Sequence, residues 1–301
     1  MSIVAVIVTY HPDFAVLKDL LDGLKPQVSS VVLVDNGSGA KLQNWLDQYH
    51  AQAIHSIFLG ANTGVATAQN VGIDWARQQG ADYVVLFDQD SLPAHDMVHC
   101  LIKAVQAKQS TGCMVAAAGP RYLDERQDNP PPFIRVQGLK LLRQACDETD
   151  SIVDVDYLIS SGCLIPMSTL DAVGSMREGL FIDYVDIEWG LRARHQGFQS
   201  YGVCSAHMQH SLGDHPIEFF GKRIPSHSPL RHYYSFRNAV ILYQEPWVPL
   251  NWKLVDGWRL CLKYVFYSLF AKPRMAHLRM MTLGMWHGLV RKVGKFRCVA
   301  S

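Results

Sequence analysis

The stretch Tyr83-Val84-Val85-Leu86-Phe87-Asp88-Gln89-Asp90-Ser91 decides the fold. Its first five residues are apolar, β-branched or aromatic, and they predict a short buried strand. Two carboxylates one residue apart then close the strand. Alternation along a strand turns Asp88 and Asp90 to the same side. Like charges that close repel unless a cation or donor groups lie between them. A divalent metal carrying a diphosphate meets that need. A plain surface Asp-x-Asp turn is the competing reading, and on these residues alone it is the commoner one.

Working outward, the same pattern repeats. Ile3 to Val8 and Ser30 to Val34 are further apolar runs, closed by Thr9-Tyr10 and by Asp35-Asn36-Gly37-Ser38. Ala53 to Leu59 predicts another strand, and Val115 to Ala118, Val153 to Ile159 and Ser200 to Val203 predict more. Between the N-terminal strands lie helical periodicities at 13–24, 42–49, 66–79 and 95–109. Strands alternating with helices of this length predict βαβ units, an α/β fold and a mostly parallel sheet flanked by helices. In such sheets ligands bind beyond the carboxyl ends of the strands. Thr9, Tyr10, Asp35, Asp88, Gln89 and Asp90 all fall at those ends, which favours a functional Asp pair.

The bulk composition is that of a globular chain of 301 residues, 49% apolar and 18% charged, with net charge +1. The charge is uneven. Residues 250–301 hold ten Lys or Arg against Asp256 alone, a net +9, and the other 249 residues hold 18 basic against 26 acidic, a net −8. An acidic body with a basic tail argues against a nucleic-acid partner. The seven cysteines are widely spaced with no C-x-x-C pair, so the expectation is reduced cytosolic thiols with neither a zinc site nor a disulfide framework. The N-terminus reads as a first strand and not as a signal peptide. No apolar run approaches the ~20 residues that span a bilayer. The polar, proline-rich stretch 124–132 is expected to be a loop.

Four motifs in order carry a resemblance: Val6-Ile7-Val8-Thr9-Tyr10, Val34-Asp35-Asn36-Gly37-Ser38, Asn62-x-Gly64-x-Ala66-x-Ala68-x-Asn70-x-Gly72 and Asp88-Gln89-Asp90-Ser91. Together they resemble family 2 glycosyltransferases over most of residues 1–240. Phe181-Ile182-Asp183-Tyr184-Val185-Asp186-Ile187-Glu188-Trp189, His210-Ser211-Leu212-Gly213-Asp214 and Arg231-x-Tyr233-Tyr234-x-x-Arg237-Asn238 look like the bacterial rhamnosyltransferase branch. The resemblance implies a GT-A fold over residues 1–240, with a nucleotide-sugar half (1–120), an acceptor half (121–240) and a helical extension (241–301). It implies dTDP-L-rhamnose as donor, or another UDP- or dTDP-sugar. Thr9, Tyr10 and Asp35 would hold base and ribose, with Asn62 in the nucleotide loop. Asp88 and Gln89 would meet ribose or diphosphate, and Arg231 and Tyr234 the diphosphate. Asp90 and His210 would bind Mg²⁺ or Mn²⁺, with His207 as the competing ligand.

Inverting transfer needs a general base for the acceptor hydroxyl. The match to the family pattern selects Asp186, with Asp183 and Glu188 ordering the site, the acceptor or Arg192. Ser161, Gly162, Asp183 and Trp189 are assigned to the acceptor side. The small residues at 64, 66 and 68 suit close approach of a ligand or tight helix–sheet packing equally.

Residues 252–296 interleave Trp, Phe, Leu and Met with Lys and Arg, divided by Pro273. Basic amphipathic helices of this kind lie in anionic membrane interfaces. They also suit packing on the catalytic domain or a homodimer contact. The membrane reading places the enzyme at the inner face of a bacterial plasma membrane, acting on a lipid-linked glycan. A non-catalytic nucleotide-sugar-binding scaffold is the rival of another class. A dinucleotide-dependent oxidoreductase is disfavoured, because Thr9-Tyr10-His11-Pro12 stands where Gly-x-Gly-x-x-Gly would follow the first strand.

Overall fold

The structure is a computed structural model that describes residues 1–49, 54–123, 133–144, 146, 148, 151–210, 217–219, 222–224 and 227–297. For Leu123, His210, 217–219 and 222–224 the description is of the main chain. The stretch 124–132, Ala53, Gly213, Asp214 and Cys298 of the sequence reading lie outside the described residues.

In chain order the elements are β1 (Ile3–Thr9), α1 (Phe14–Leu24), β2 (Ser30–Asp35), α2 (Ala40–Gln48), β3 (Ile54–Phe58), α3 (Val65–Gln78), β4 (Tyr83–Asp88), β5 (Ser91–Pro93) and α4 (Met97–Ser110). Then come β6 (Val115–Leu123), β7 (Phe133–Gln137), β8 (Lys140–Gln144), β9 (Ile152–Val155), β10 (Leu164–Pro166), α5 (Met167–Val173), α6 (Val185–His195) and β11 (Gln199–His210). The chain continues through β12 (Ile217–Phe219), β13 (Lys222–Ile224), α7 (Pro229–Tyr243), α8 (Leu250–Phe270) and α9 (Arg274–Leu289).

One sheet organises the molecule, in the order β3-β2-β1-β4-β10-β6-β11-β5, with β9 on β11. Strands β3, β2, β1 and β4 run parallel, as do β6 and β11. Short β10 runs antiparallel between β4 and β6. The apolar runs alternate as the pleat requires. Val4, Val6, Val32, Val34, Val84 and Leu86 join the core on one face. Ile3, Ala5, Ile7, Val31, Leu33, Val85 and Phe87 join the core on the other. Burial on both faces explains why these strands read as continuous apolar runs.

Two expectations change. The pattern from Trp189 to Gln196 predicts a helix, but helix α6 starts four residues earlier at Val185, so Asp186 and Glu188 lie in its first turn. The thiol expectation is corrected as well: Cys146, just beyond β8, is bonded to Cys204 in β11, at a Cα separation of 5.5 Å. The two lie 58 residues apart in sequence, and pairing over such a distance leaves no mark in Cys spacing. Cys113, Cys163 and Cys261 are free thiols among the described residues.

The C-terminal helices pack on the α/β body. His277, Met281, Gly284 and Gly288 form the buried stripe of α9. A Cβ at Gly284 would stand 2.4 Å from the Tyr233 carbonyl oxygen, and one at Gly288 would stand 2.7 Å from that of Arg237. Helices α7 and α9 therefore cross with main chains almost touching. No described helix is long and apolar enough to cross a membrane. Gly284→Ala must push the two helices apart and is expected to lower stability by about 2–3 kcal/mol. A urea melt with lowered midpoint and unchanged slope checks this.

Candidate active site

The site begins where β1, β2 and β4 end side by side. Thr9 pairs with Asp35 and Val8 with Asp88 in the strand register. Asp35 is 1% exposed and acts as the knot of this edge. Its Oδ1 accepts from Thr9 Oγ1 (3.2 Å) and from Ser38 Oγ, and its Oδ2 accepts from the N–H of Ser38 (2.8 Å) and Gly37 (3.3 Å). A carboxylate so fully engaged presets the loop rather than standing ready for a new partner. Gln89 clasps β1 to the β4 turn: its Oε1 accepts from Tyr10 N at 2.7 Å, and its Nε2 donates to Tyr10 O at 3.2 Å. The Tyr10 side chain remains outside, 46% exposed, above the strand ends.

Asn36 and Asn62 build the next loop. Asn36 Oδ1 accepts from Thr63 N at 2.8 Å, while Asn62 Oδ1 accepts from Gly64 N (3.1 Å) and Asn36 Nδ2 (3.3 Å). Gly64 has φ +96°, and a Cβ there would lie 2.6 Å from the Phe181 carbonyl oxygen. Val65 N donates to that oxygen at 2.8 Å. Ala66 and Ala68 are fully buried, so the small-residue pattern serves packing and docking onto Phe181.

The segment 181–184 is the strained part of the site. Phe181, Asp183 and Tyr184 all have φ between 60° and 68°. Non-glycine residues rarely hold that conformation, and strain of this kind gathers at functional sites. The strain is held from behind by α7. Arg237, 1% exposed, donates to the carbonyls of Leu180 (2.8 Å) and Gly179 (3.3 Å). Asn238 Nδ2 donates to those of Leu180, Ile182 and Asp183, at 2.8–2.9 Å. The Tyr234 ring stacks on Phe181 at 4.9 Å, and its hydroxyl accepts from Phe296 N at 2.7 Å. Arg231 Nε meets Asp183 Oδ1 at 3.3 Å. The motif 231–238 thus buttresses the turn, with Arg231 its half-exposed member. The C-terminal strap joins in: Lys295 Nζ donates to Asn62 O at 3.1 Å, a contact that no local pattern announced.

Beyond the turn, Asp186 stands half-buried in the first turn of α6. Burial pushes its pKa up to about 6, the neighbouring charges of Asp183 and Asp88 add to the rise, and the Ile187 N–H at 2.9 Å opposes it. Leu86, Cys163, Met176 and Trp189 line a small apolar cavity against this carboxyl. Asp183 Oδ2 is buried without a hydrogen-bond partner among the described residues. Glu188 is taken up by Arg192 through two contacts, at 2.9 and 3.0 Å.

The acceptor expectations fare differently. Trp189 is 3% exposed with its indole N–H on Gly174 O, so in this structure no ring face is open for sugar stacking. Ser161 is buried behind the Asp pair, where its Oγ accepts from Asp88 N (3.1 Å) and lies 2.5 Å from Ser91 Oγ. Gly162, at φ +75°, donates its N–H to Leu86 O at 2.7 Å. Both support the motif from beneath. Asp90 is exposed on the turn between β4 and β5. Ser91 pairs with His210 across β5 and β11, which brings the main chain at 210 beside that turn. His207 Nδ1 is buried without a hydrogen-bond partner among the described residues. Among the described residues no three His, Cys, Asp or Glu side chains converge as a metal cluster. Burial and, with it, the charges of Asp183 and Asp88 raise Asp186, so the site is acidic and offers oxygen donors, the ligand type a hard cation takes.

Comparison with known proteins agrees with this geometry. Residues 5–157 match the family described as Glycosyl transferase family 2. The chain is 35% identical over 253 residues to the dTDP-rhamnosyl transferase RfbF of Shigella flexneri, covering 83% of this chain and 82% of that protein. Among solved structures, S. aureus TarS 1-349 in complex with UDP-GlcNAc superposes with a TM-score of 0.54 at 14% identity, over 100% of this chain and 95% of that one. GalNAc-T7 with UDP, GalNAc and Mn²⁺ gives 0.60 at 13% identity, over 89% of this chain and 57% of that one. At such identities the two structures share the fold. The ordered motifs, the sheet and the matched residues lead to one conclusion: this chain belongs to the family 2 glycosyltransferases.

Proposed function

We propose that the enzyme transfers L-rhamnose with inversion from dTDP-L-rhamnose to a sugar hydroxyl of a lipid-linked polysaccharide intermediate, with Asp186 as general base. The observation that carries the reading is Asp186 itself, a carboxyl in the first turn of α6 whose pKa burial raises to about 6. The acceptor oxygen attacks the anomeric carbon, the bond to the diphosphate oxygen breaks, and dTDP leaves with the electron pair. Asp186 takes the acceptor proton. The 35% identical relative named for dTDP-rhamnosyl transfer supports the donor.

In this reading Tyr10, exposed over the Thr9–Asp35 knot, faces the base and ribose, and Asn62 lies at the nucleotide loop. Asp88 and Arg231 attend the ribose and diphosphate. Gln89 and Tyr234 act through the Tyr10 main chain and the Phe181 turn. Asp183 offers its unpartnered oxygen to the acceptor. Ser161, Gly162 and Trp189 shape the floor on which donor and acceptor meet. Bound at Asp90 and His210, Mg²⁺ or Mn²⁺ would offset the charge developing on the diphosphate. The lipid-linked acceptor places the enzyme at the cytoplasmic membrane surface, which suits the basic C-terminal helices.

Asp186→Asn is expected to lower kcat by about 10²–10⁴-fold, while calorimetry shows dTDP binding unchanged. Unchanged turnover removes Asp186 as the base. Since its pKa lies above the ordinary carboxylate value, Asp186 is protonated and unable to accept a proton below about pH 6. The pH profile of kcat/KM should therefore rise through about pH 6, and this limb should vanish in the variant. By linkage, a carboxyl raised by folding supports the fold fully below its unfolded value, and this support is lost as pH rises through about 6. Asp90→Ala is expected to abolish transfer that Mn²⁺ or Mg²⁺ restores to the EDTA-treated parent. Full parent activity in EDTA argues against a metal. Competition calorimetry should favour dTDP-L-rhamnose over UDP-hexoses, and the reverse order assigns another donor.

A further inference from the structure

Helix α8 has two unlike faces. Its inner face buries Trp252, Leu260 and Tyr267. On that side Asp256 Oδ2 accepts from Tyr184 OH (2.9 Å) and Tyr243 OH (2.6 Å), which fastens the helix to the strained turn two residues before Asp186. The outer face carries Leu254, Trp258, Leu262, Val265 and Leu269, each at least half exposed, with Trp258 at 66%. Their spacing of four, four, three and four residues draws one continuous stripe along the helix. An apolar stripe of this length, kept outside in a folded chain, marks a docking surface.

The charge around the stripe selects what docks. Lys272, Arg274, Arg279, Arg291 and Lys292 are exposed on the C-terminal segment. The segment's one acid, Asp256, is turned inward to the two tyrosines. A second copy of this chain would bring two strongly cationic surfaces together, at a repulsive cost. An anionic bilayer instead supplies hydrocarbon for the stripe and phosphate for its basic flank.

We propose that the outer face of α8 is the membrane-binding surface, lying in the interface of anionic phospholipid with Trp258 inserted at its centre. This rests on the reading of the acceptor as lipid-carried and deepens it: through Asp256 and Tyr184, the docked helix sets the height of Asp186 above the bilayer. The enzyme thus meets its acceptor in a fixed orientation.

The test sediments the full-length protein with vesicles of phosphatidylcholine alone, or mixed with phosphatidylglycerol. Binding is expected with the anionic vesicles only. Trp258→Glu is expected to weaken it at least about tenfold. Lys272→Gln combined with Arg274→Gln should weaken it roughly 25-fold, at about fivefold per charge. Hydrolysis of dTDP-L-rhamnose to free dTDP without acceptor should stay at the parent rate in both variants, which reports that the catalytic end is folded. Binding to anionic vesicles that neither variant weakens overturns the proposal. So does a parent dimer in sedimentation equilibrium that Trp258→Glu splits while vesicle binding persists. If the parent binds anionic vesicles through Trp258 but releases no dTDP, the surface stands and the rhamnose-donor reading fails.

Discussion

The site depends on one buried cation. Arg237 lies inside the protein with its guanidinium on the carbonyls of Gly179, Leu180 and Gly294, and with its charge over the faces of Tyr233 and Tyr234. Burial works against its charge, yet carbonyl dipoles and aromatic faces replace the lost water. Asn238 beside it caps three more contacts to the same turn. Three residues in the left-handed region can persist only where surroundings over-determine them. Here the surroundings are these two side chains. Their grip positions Phe181 for Gly64 on one side and starts α6, with Asp186, on the other.

The electrostatics follow from that placement. The turn delivers Asp183 and Asp186 to the end of β4, where Asp88 already stands. Burial against the apolar cavity costs Asp186 some of its ionisation, and the charges of Asp183 and Asp88 add to the cost. One carboxyl becomes basic enough to accept a proton near neutral pH. Asp35, by contrast, is surrounded by donors and serves as a fixed anchor. Two acids, one at a strand end and one on α6, thus differ in environment because of what their oxygens already touch.

The sheet was legible because its central strands are apolar on both faces and end in polar turns. The carboxyl-end rule then located Thr9, Asp35 and Asp88 without any contact being known. The start of α6 was harder, because the chain enters that helix from left-handed Tyr184 with no side-chain cap. Helix periodicity also fails there, since both faces of α6 meet protein. Asn36 stood in a quoted motif, but its bond to Thr63 became visible only in three dimensions. Arg237 and Asn238 were quoted with Arg231 as one motif; burial separates them, because a guanidinium on a diphosphate and one on main-chain carbonyls look alike in sequence. The disulfide and the Lys295 contact join residues too far apart in sequence for any local pattern to record.

The strap carries a consequence for how the enzyme is made. Lys295 reaches a loop residue 233 positions earlier, and Gly294 N donates to Gly179 O at 2.7 Å. Contacts of such separation close late, after the intervening chain has been ordered. During synthesis the sheet and its Asp pair can form while the last helices are still inside the ribosome. The loop at Asn62 and the strained turn 181–184 receive their final braces only when residues 294–296 have emerged. A chain that has not yet extended past residue 295 therefore holds the parts of the site without the clamp that sets them.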